Sequence, residues 1–211
     1  MPLPKAPFVY PILDADGLAG RSPGAVARAL VEAGARILQV RAKGLGARAR
    51  CELALEVVAA AHAGGALVIV NDHPDVARIA FADGVHVGQE DMPAADVRRL
   101  MPVPALVGLS THDVSQVRSA PAGVLDYVAI GPVFATRSKA APDPFVGLEG
   151  VAAARAATSL PLIAIGGITR ANAAGVVAAG ADGVALISEV MTADDPGHAF
   201  RALAAALQRR R

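Results

Sequence analysis

Ala179-Gly180-Ala181-Asp182-Gly183-Val184-Ala185-Leu186-Ile187-Ser188 ends one kind of segment and launches another. A glycine behind an Ala-rich stretch suits the left-handed cap of a helix C-terminus, and small residues let helix and sheet pack closely. The apolar run Val184–Ile187 then stops on a hydroxyl. The same device recurs as Ala33-Gly34-Ala35 and Ala82-Asp83-Gly84, each ahead of a further apolar block. Repetition of this kind belongs to a chain of alternating helices and strands.

Eight apolar runs read as strands: Phe8–Leu13, Ala35–Val40, Leu67–Val70, Gly84–Val87, Leu106–Leu109, Tyr127–Ile130, Leu162–Ile165 and Val184–Ile187. Each is continuous rather than alternating, as expected where both faces of a parallel sheet are covered. Ser22-Pro23 and Asp195-Pro196 combine a capping side chain with proline at the first helical position. Thr169 and Asp113 are expected to cap the helices that follow their strands, and Pro74, Pro93 and Gly147 mark three more starts. Spread over 211 residues, eight units take about 26 residues each, near the lower size limit of a (β/α)8 barrel. A doubly wound open sheet is the competitor. The barrel is favoured because eight evenly spaced units would make a long open sheet, and no stretch resembles a linker. The expectation is a single α/β domain over residues 1–211, a TIM barrel with a parallel eight-stranded core.

Composition narrows the function classes. Hydrophobic residues at 54% and charged residues at 18% exclude a largely disordered chain. Mean hydropathy is +0.44, yet no apolar run approaches the roughly 18 residues of a membrane span. Twenty Lys and Arg against 19 Asp and Glu leave a net charge of +1, too little for a broad nucleic-acid footprint. Aromatics at 3% with no Trp weaken any base-stacking platform. The single Cys51 excludes an intrachain disulfide and a cysteine-based zinc cage. Met1 to Lys5 open straight into a strand-like run with no signal-peptide pattern, so a cytoplasmic enzyme or binding protein is expected.

In either parallel architecture ligands meet the C-terminal ends of the strands, so the polar residues there carry the chemistry. Gln39, Arg41 and Lys43 alternate and share one face of an extended chain. Together they suit an anion, with Arg41 able to hold phosphate oxygens bidentately; the alternative is a solvated strand end. Asn71-Asp72 and Gly88-Gln89-Glu90-Asp91 place two carboxylates at neighbouring strand tips, a donor set for Mg²⁺ completed by water and substrate phosphate. Alternatively, Asp72 and Asp91 only cap helices near Pro74 and Pro93. Ser110 suits contact with a substrate ring or leaving group, or an N-terminal cap. No base–orienter arrangement for a nucleophilic Ser110 emerges, which argues against a hydrolase triad. The longest irregular stretch, Gly131 to Phe145, reads as a lid in which Thr136, Ser138 and Lys139 suit an anion and Arg137 a surface partner. Gly166-Gly167 and Ile187-Ser188 stand where loops seven and eight of barrels commonly bind phosphate through backbone N–H groups. His62 and His198 read as helix-surface residues, His86 as a core residue, and His73 as lacking a histidine partner.

The ordered set Gln39-Val-Arg41-Ala-Lys43, Val70-Asn71-Asp72, His86-Val-Gly88-Gln89-Glu90-Asp91, Gly108-Leu-Ser110-Thr-His, Gly131-Pro-Val-Phe-Ala-Thr136-Arg-Ser138-Lys139, Ile165-Gly166-Gly167-Ile168 and Ile187-Ser188 resembles the thiamine-phosphate synthase (thiamine-phosphate pyrophosphorylase) family. The resemblance runs from the second strand to the eighth. It implies a (β/α)8 barrel that joins hydroxymethylpyrimidine diphosphate to a thiazole phosphate with Mg²⁺, giving thiamine phosphate and diphosphate. By that resemblance Gln39, Arg41, Lys43 and Asn71 bind the pyrimidine diphosphate, Asp72 and Asp91 hold the metal, and Ser110 contacts the pyrimidine. Thr136, Ser138, Gly167, Ile187 and Ser188 hold the thiazole phosphate, while Lys139 serves the diphosphate. Arg41, Lys43, Ser110 and Lys139 carry the catalytic roles. Ser138 stands where relatives usually carry Thr, and the segment 140–145 is less family-typical. Two alternatives remain: a thiazole tautomerase using His112 as base, and a non-catalytic phosphate-binding barrel. The implied partners are small phosphorylated molecules, with no nucleic acid and no membrane; a homo-oligomer stays open.

Overall fold

A computed structural model describes residues 1–135 and 144–208. Eight parallel strands run β1 (Phe8–Asp14), β2 (Ile37–Arg41), β3 (Leu67–Asn71), β4 (Gly84–Val87), β5 (Leu106–Thr111), β6 (Tyr127–Ile130), β7 (Leu162–Ile165) and β8 (Gly183–Leu186). They pair in sequence order and close, β8 against β1 through Phe8 and Gly183 to Pro11 and Leu186. Closure removes the open doubly wound alternative. The helices are α1 (Pro23–Glu32), α2 (Ala47–Ala63), α3 (Pro74–Ile79), α4 (Ala94–Leu100), α5 (Val114–Ser119), α6 (Gly147–Ala157), α7 (Ala173–Ala178), α8 (Ser188–Met191) and α9 (Pro196–Gln208). Every expected strand is present, with ends shifted by one or two residues where they differ.

Local chemistry explains three of the helix starts. Ser22 accepts the Ala25 N–H with Pro23 in the first turn, Asp113 accepts the Gln116 N–H, and Asp195 accepts the His198 N–H. Thr169 is a correction. It does not cap α7, which starts only at Ala173; its own N–H donates instead to the Asn172 Oδ1 at 2.8 Å. The longer amide side chain closes a turn that delays the helix. In the repeated helix ends, Gly34 (φ 108°) and Gly180 (φ 111°) take the left-handed conformation, but in the middle copy Phe81 (φ 56°) does so and Gly84 is already the first residue of β4.

Two apolar cores result from strand alternation. Phe8, Tyr10 and Ile12 point into the barrel with Ile37, Ile69, Leu106, Tyr127 and Ile163. Val9 and Leu13, the intervening residues of β1, pack outward with Leu30, Val57, Val97 and Leu203 of the helical layer. At the other end of the barrel from the strand tips, one tie repeats. Asp83 Oδ2 accepts the Val68 N–H and bonds the His62 ring, Asp126 Oδ2 accepts the Val107 N–H and pairs with Arg98, and Asp182 Oδ2 accepts the Leu162 N–H and pairs with Arg155. Each aspartate precedes an even-numbered strand and binds the preceding strand to the helix before it. His62 is exposed, as expected, and it also takes the place that arginine holds in the other two ties.

Candidate active site at the barrel mouth

A cavity of about 190 Å³ opens at the C-terminal ends of the strands. Gln39, Arg41, Lys43, Asn71, Asp72, Asp91, Ser110, Gly167, Ile187 and Ser188 all line it. The other expected site residues, Thr136, Ser138 and Lys139, lie outside the described residues, as does Arg137. Six separate stretches of sequence are thus brought to one cleft, because parallel strands put all their C-terminal ends on the same side.

The cations at and just past the end of β2 are each paired with a carboxylate. Arg41 pairs with Asp14, its register partner at the end of β1, and Asp14 is buried at 6% exposure. That buried carboxylate fixes the guanidinium, and nothing in the local pattern of β1 had singled it out. Lys43 Nζ lies 3.3 Å from Asp72 Oδ2. Asp72 has a left-handed backbone (φ 64°), uncommon for a residue with a side chain, and its N–H donates to the His86 carbonyl at 2.8 Å. Asp91 Oδ2 accepts the Gly88 N–H at 2.7 Å.

Neither carboxylate caps a helix. α3 follows His73 and α4 follows Pro93, and neither start has a side-chain cap bond. Burial, reinforced by the neighbouring Asp91, pushes the Asp72 carboxyl above its ordinary range despite Lys43. Burial also works to raise Asp91, but the Gly88 N–H, Asp72 and Lys43 together hold it below. Two carboxylates that disturb each other in this way form a site that a cation would relieve, and their oxygen donors suit a hard divalent ion. Among the described residues no group of three or more His, Cys, Asp or Glu gathers for a metal. Further ligands to such an ion would come from water and a phosphorylated substrate.

Ser110 has an imidazole beside it, which no local pattern of residues indicates. His86 Nε2 lies 2.8 Å from Ser110 Oγ, and His86 Nδ1 lies 3.0 Å from the Tyr127 hydroxyl. The pair is 24 residues apart and meets only across β4 and β5. The orienting group is a phenol, whose ionisation burial pushes well up, so the imidazole has no anionic partner of the hydrolase kind. Burial pushes His86 down to about 4, with the Asp91 charge opposing. His86 is thus the satisfied core histidine the sequence suggested, and it also faces the cavity. The chain of hydroxyls continues from Tyr127 to Tyr10 at 3.2 Å, and Tyr10 accepts from Gln39 Nε2 at 3.2 Å. Neither tyrosine was singled out beforehand.

Across the mouth, Gly166 (φ 98°) and Gly167 (φ 62°) turn the chain after β7. A Cβ on Gly167 would stand 2.5 Å from the Ala135 carbonyl oxygen, so only glycine fits between these loops. Asn172 clamps the same turn, donating from Nδ2 to the Gly167 oxygen at 3.0 Å while accepting the Thr169 N–H. His112 is tethered through Nδ1 to the Gly131 carbonyl at 2.8 Å and lines the cavity. No helix among the described residues is long and apolar enough to cross a membrane.

The family model and relatives similar in sequence agree. The family model for thiamine monophosphate synthase matches residues 9–190. The chain is 45% identical over 197 residues to a thiamine-phosphate synthase of Chloroflexus aurantiacus, covering 93% of this chain and 91% of that one. It is 45% identical over 195 residues to one of Methanoculleus marisnigri, covering 92% of each. Among solved structures, the thiamine phosphate pyrophosphorylase of Pyrococcus furiosus superposes with a TM-score of 0.83 at 30% identity, over 97% of this chain and 96% of that one. With the closed barrel and its lined mouth already in place, these likenesses carry the conclusion that the chain belongs to the thiamine monophosphate synthase family, transferases of thiamine biosynthesis.

Proposed function

We propose that the barrel mouth condenses 4-amino-2-methyl-5-hydroxymethylpyrimidine diphosphate with a thiazole ethyl phosphate to give thiamine phosphate and diphosphate, with CO2 released as well where the thiazole carries a carboxylate. The observation that carries this reading is the shared cavity: Arg41, Lys43, Asp72 and Asp91 stand on one side, and the Gly166–Gly167 turn with Ser188 on the other. Two phosphorylated substrates need two such half-sites.

The reaction breaks the bond between the pyrimidine methylene carbon and the diphosphate oxygen, then joins that carbon to the thiazole nitrogen. Negative charge grows on the leaving diphosphate while the aminopyrimidine ring takes up positive charge. Arg41, immobilised by Asp14, and Lys43, paired with Asp72, face the growing negative charge, with Lys139 assigned to the same oxygens. Such preorganised charge needs little rearrangement as the bond breaks. Asp72 and Asp91 are the residues that would hold Mg²⁺, which when bound neutralises the leaving group as a Lewis acid. Gln39, Asn71 and Ser110 hold the pyrimidine diphosphate. Gly167, Ile187 and Ser188, with Thr136 and Ser138, hold the thiazole phosphate. No proton need be removed by a strong base, which suits a neutral, buried His86.

Protein, Mg²⁺ and both substrates are mixed, and thiamine phosphate is read as fluorescent thiochrome. The expected result is product from the wild type and none from Asp72→Ala at unchanged circular dichroism. No product from folded wild type overturns the condensation and moves the test to thiazole tautomerisation, with His112→Ala as its probe.

A further inference from the structure

The buried residues Tyr10, Tyr127 and His86 link two cavity-lining side chains that the proposed reaction uses, Gln39 and Ser110, through an unbroken series of hydrogen bonds. A series of this kind has a direction. The Gln39 Nε2 is only a donor, so the Tyr10 hydroxyl accepts from it and passes its own proton to Tyr127. Having accepted from Tyr10, the Tyr127 hydroxyl has its own proton to place, and His86 Nδ1 at 3.0 Å is the acceptor within reach. A neutral imidazole carries one N–H. With Nδ1 accepting, that N–H sits on Nε2 and donates to Ser110 Oγ. The Ser110 proton is then left for the cavity.

We infer that Tyr127, through His86, is a positioning residue that holds Ser110 as a hydrogen-bond donor and so selects an aminopyrimidine over the corresponding pyrimidinone. The inference rests on the proposed pyrimidine substrate. Beside its amino group an aminopyrimidine presents a ring nitrogen with a lone pair, which accepts from Ser110. The pyrimidinone lactam puts an N–H at that position, which Ser110 Oγ can meet only through the one lone pair His86 leaves it, and the Ser110 proton then loses its ring acceptor. The tyrosines are placed to hold this sense. Tyr10 and Tyr127 are 1% and 0% exposed, stand edge to face at 6.3 Å, and the His86 ring stacks on Tyr127 at 5.4 Å. None of the three can rotate to a new partner without disturbing the interior of the barrel.

The test is calorimetric binding of the two hydroxymethylpyrimidine monophosphates, amino and oxo, which lack the diphosphate leaving group, with inorganic diphosphate and Mg²⁺ as a third ligand. Wild type should prefer the amino form. Tyr127→Phe removes the donor to His86 Nδ1 and frees the imidazole to change tautomer, so the preference should shrink about five- to tenfold, the size of one hydrogen bond. Affinity for inorganic diphosphate should stay unchanged, which a general loosening of the site would not permit. Tyr10→Phe should shift the preference in the same direction, and it stands in if Tyr127→Phe does not fold. An unchanged amino-to-oxo ratio in a folded variant, with wild type still preferring the amino form, overturns the inference alone. Wild type that binds inorganic diphosphate but neither pyrimidine overturns the substrate reading and the inference with it.

Discussion

Gly108→Ala is the smallest change that reaches the reacting end of this barrel. Gly108 lies in β5, where a Cβ would stand 2.1 Å from Tyr127 Cζ and 2.5 Å from its hydroxyl oxygen. The phenol ring crosses directly over that backbone, and it is fully buried. It cannot swing into solvent, so it must shift within a packed interior, at a cost of about 1–3 kcal/mol. The shift also breaks the hydroxyl's bonds to Tyr10 and His86, at about 1 kcal/mol each. Alanine returns about 0.4–1 kcal/mol by restricting the unfolded chain. The net expectation is a loss of about 2–4 kcal/mol, which for a chain of this length lowers the midpoint by about 5–15 °C. Urea and thermal unfolding measure it, with thiochrome activity in parallel. Activity should fall as well, since a displaced Tyr127 no longer orients His86 and Ser110. Repeating Gly108→Ala in a Tyr127→Leu background should recover much of the cost, because the clashing atoms are gone. A single variant within roughly 0.5 kcal/mol of the parent, the range of an ordinary surface change, would refute the packing argument.

Two further outcomes follow from the same geometry. His86 is neutral when folded, with its pKa pushed down to about 4 against 6.5, so below pH 6.5 the unfolded chain binds the proton first and stability falls with acidification. At pH 5 that contribution is about 2 kcal/mol relative to pH 7; urea midpoints of wild type and His86→Gln should therefore converge as the pH drops, and a constant difference would count against a buried neutral imidazole. Asn172→Ala removes the clamp on the Gly167 turn and should raise the KM for the thiazole phosphate about tenfold, one to two hydrogen bonds' worth, with a smaller change in kcat; equal effects on both substrates would place the defect elsewhere.

The strands were legible in the sequence because a strand buried on both faces is written locally, as a short apolar run with small residues before it. Caps such as Ser22, Asp113 and Asp195 were legible for the same reason, since donor and acceptor lie three residues apart. Gln39, Arg41 and Lys43 could be grouped because strand alternation alone puts them on one face, and Asp72 and Asp91 because each follows an apolar run. Thr169 failed as a cap where a second local group, Asn172, competed for the same turn. What the sequence by itself determined, then, was the succession of β/α units and the polar residues at their tips. Only the tertiary structure decided that Asp14 holds Arg41, that His86 faces Ser110, and that Tyr10 meets Tyr127 from 117 residues away. Those partners sit on different strands, and their meeting is set by the register and closure of the barrel, which no local pattern of residues encodes.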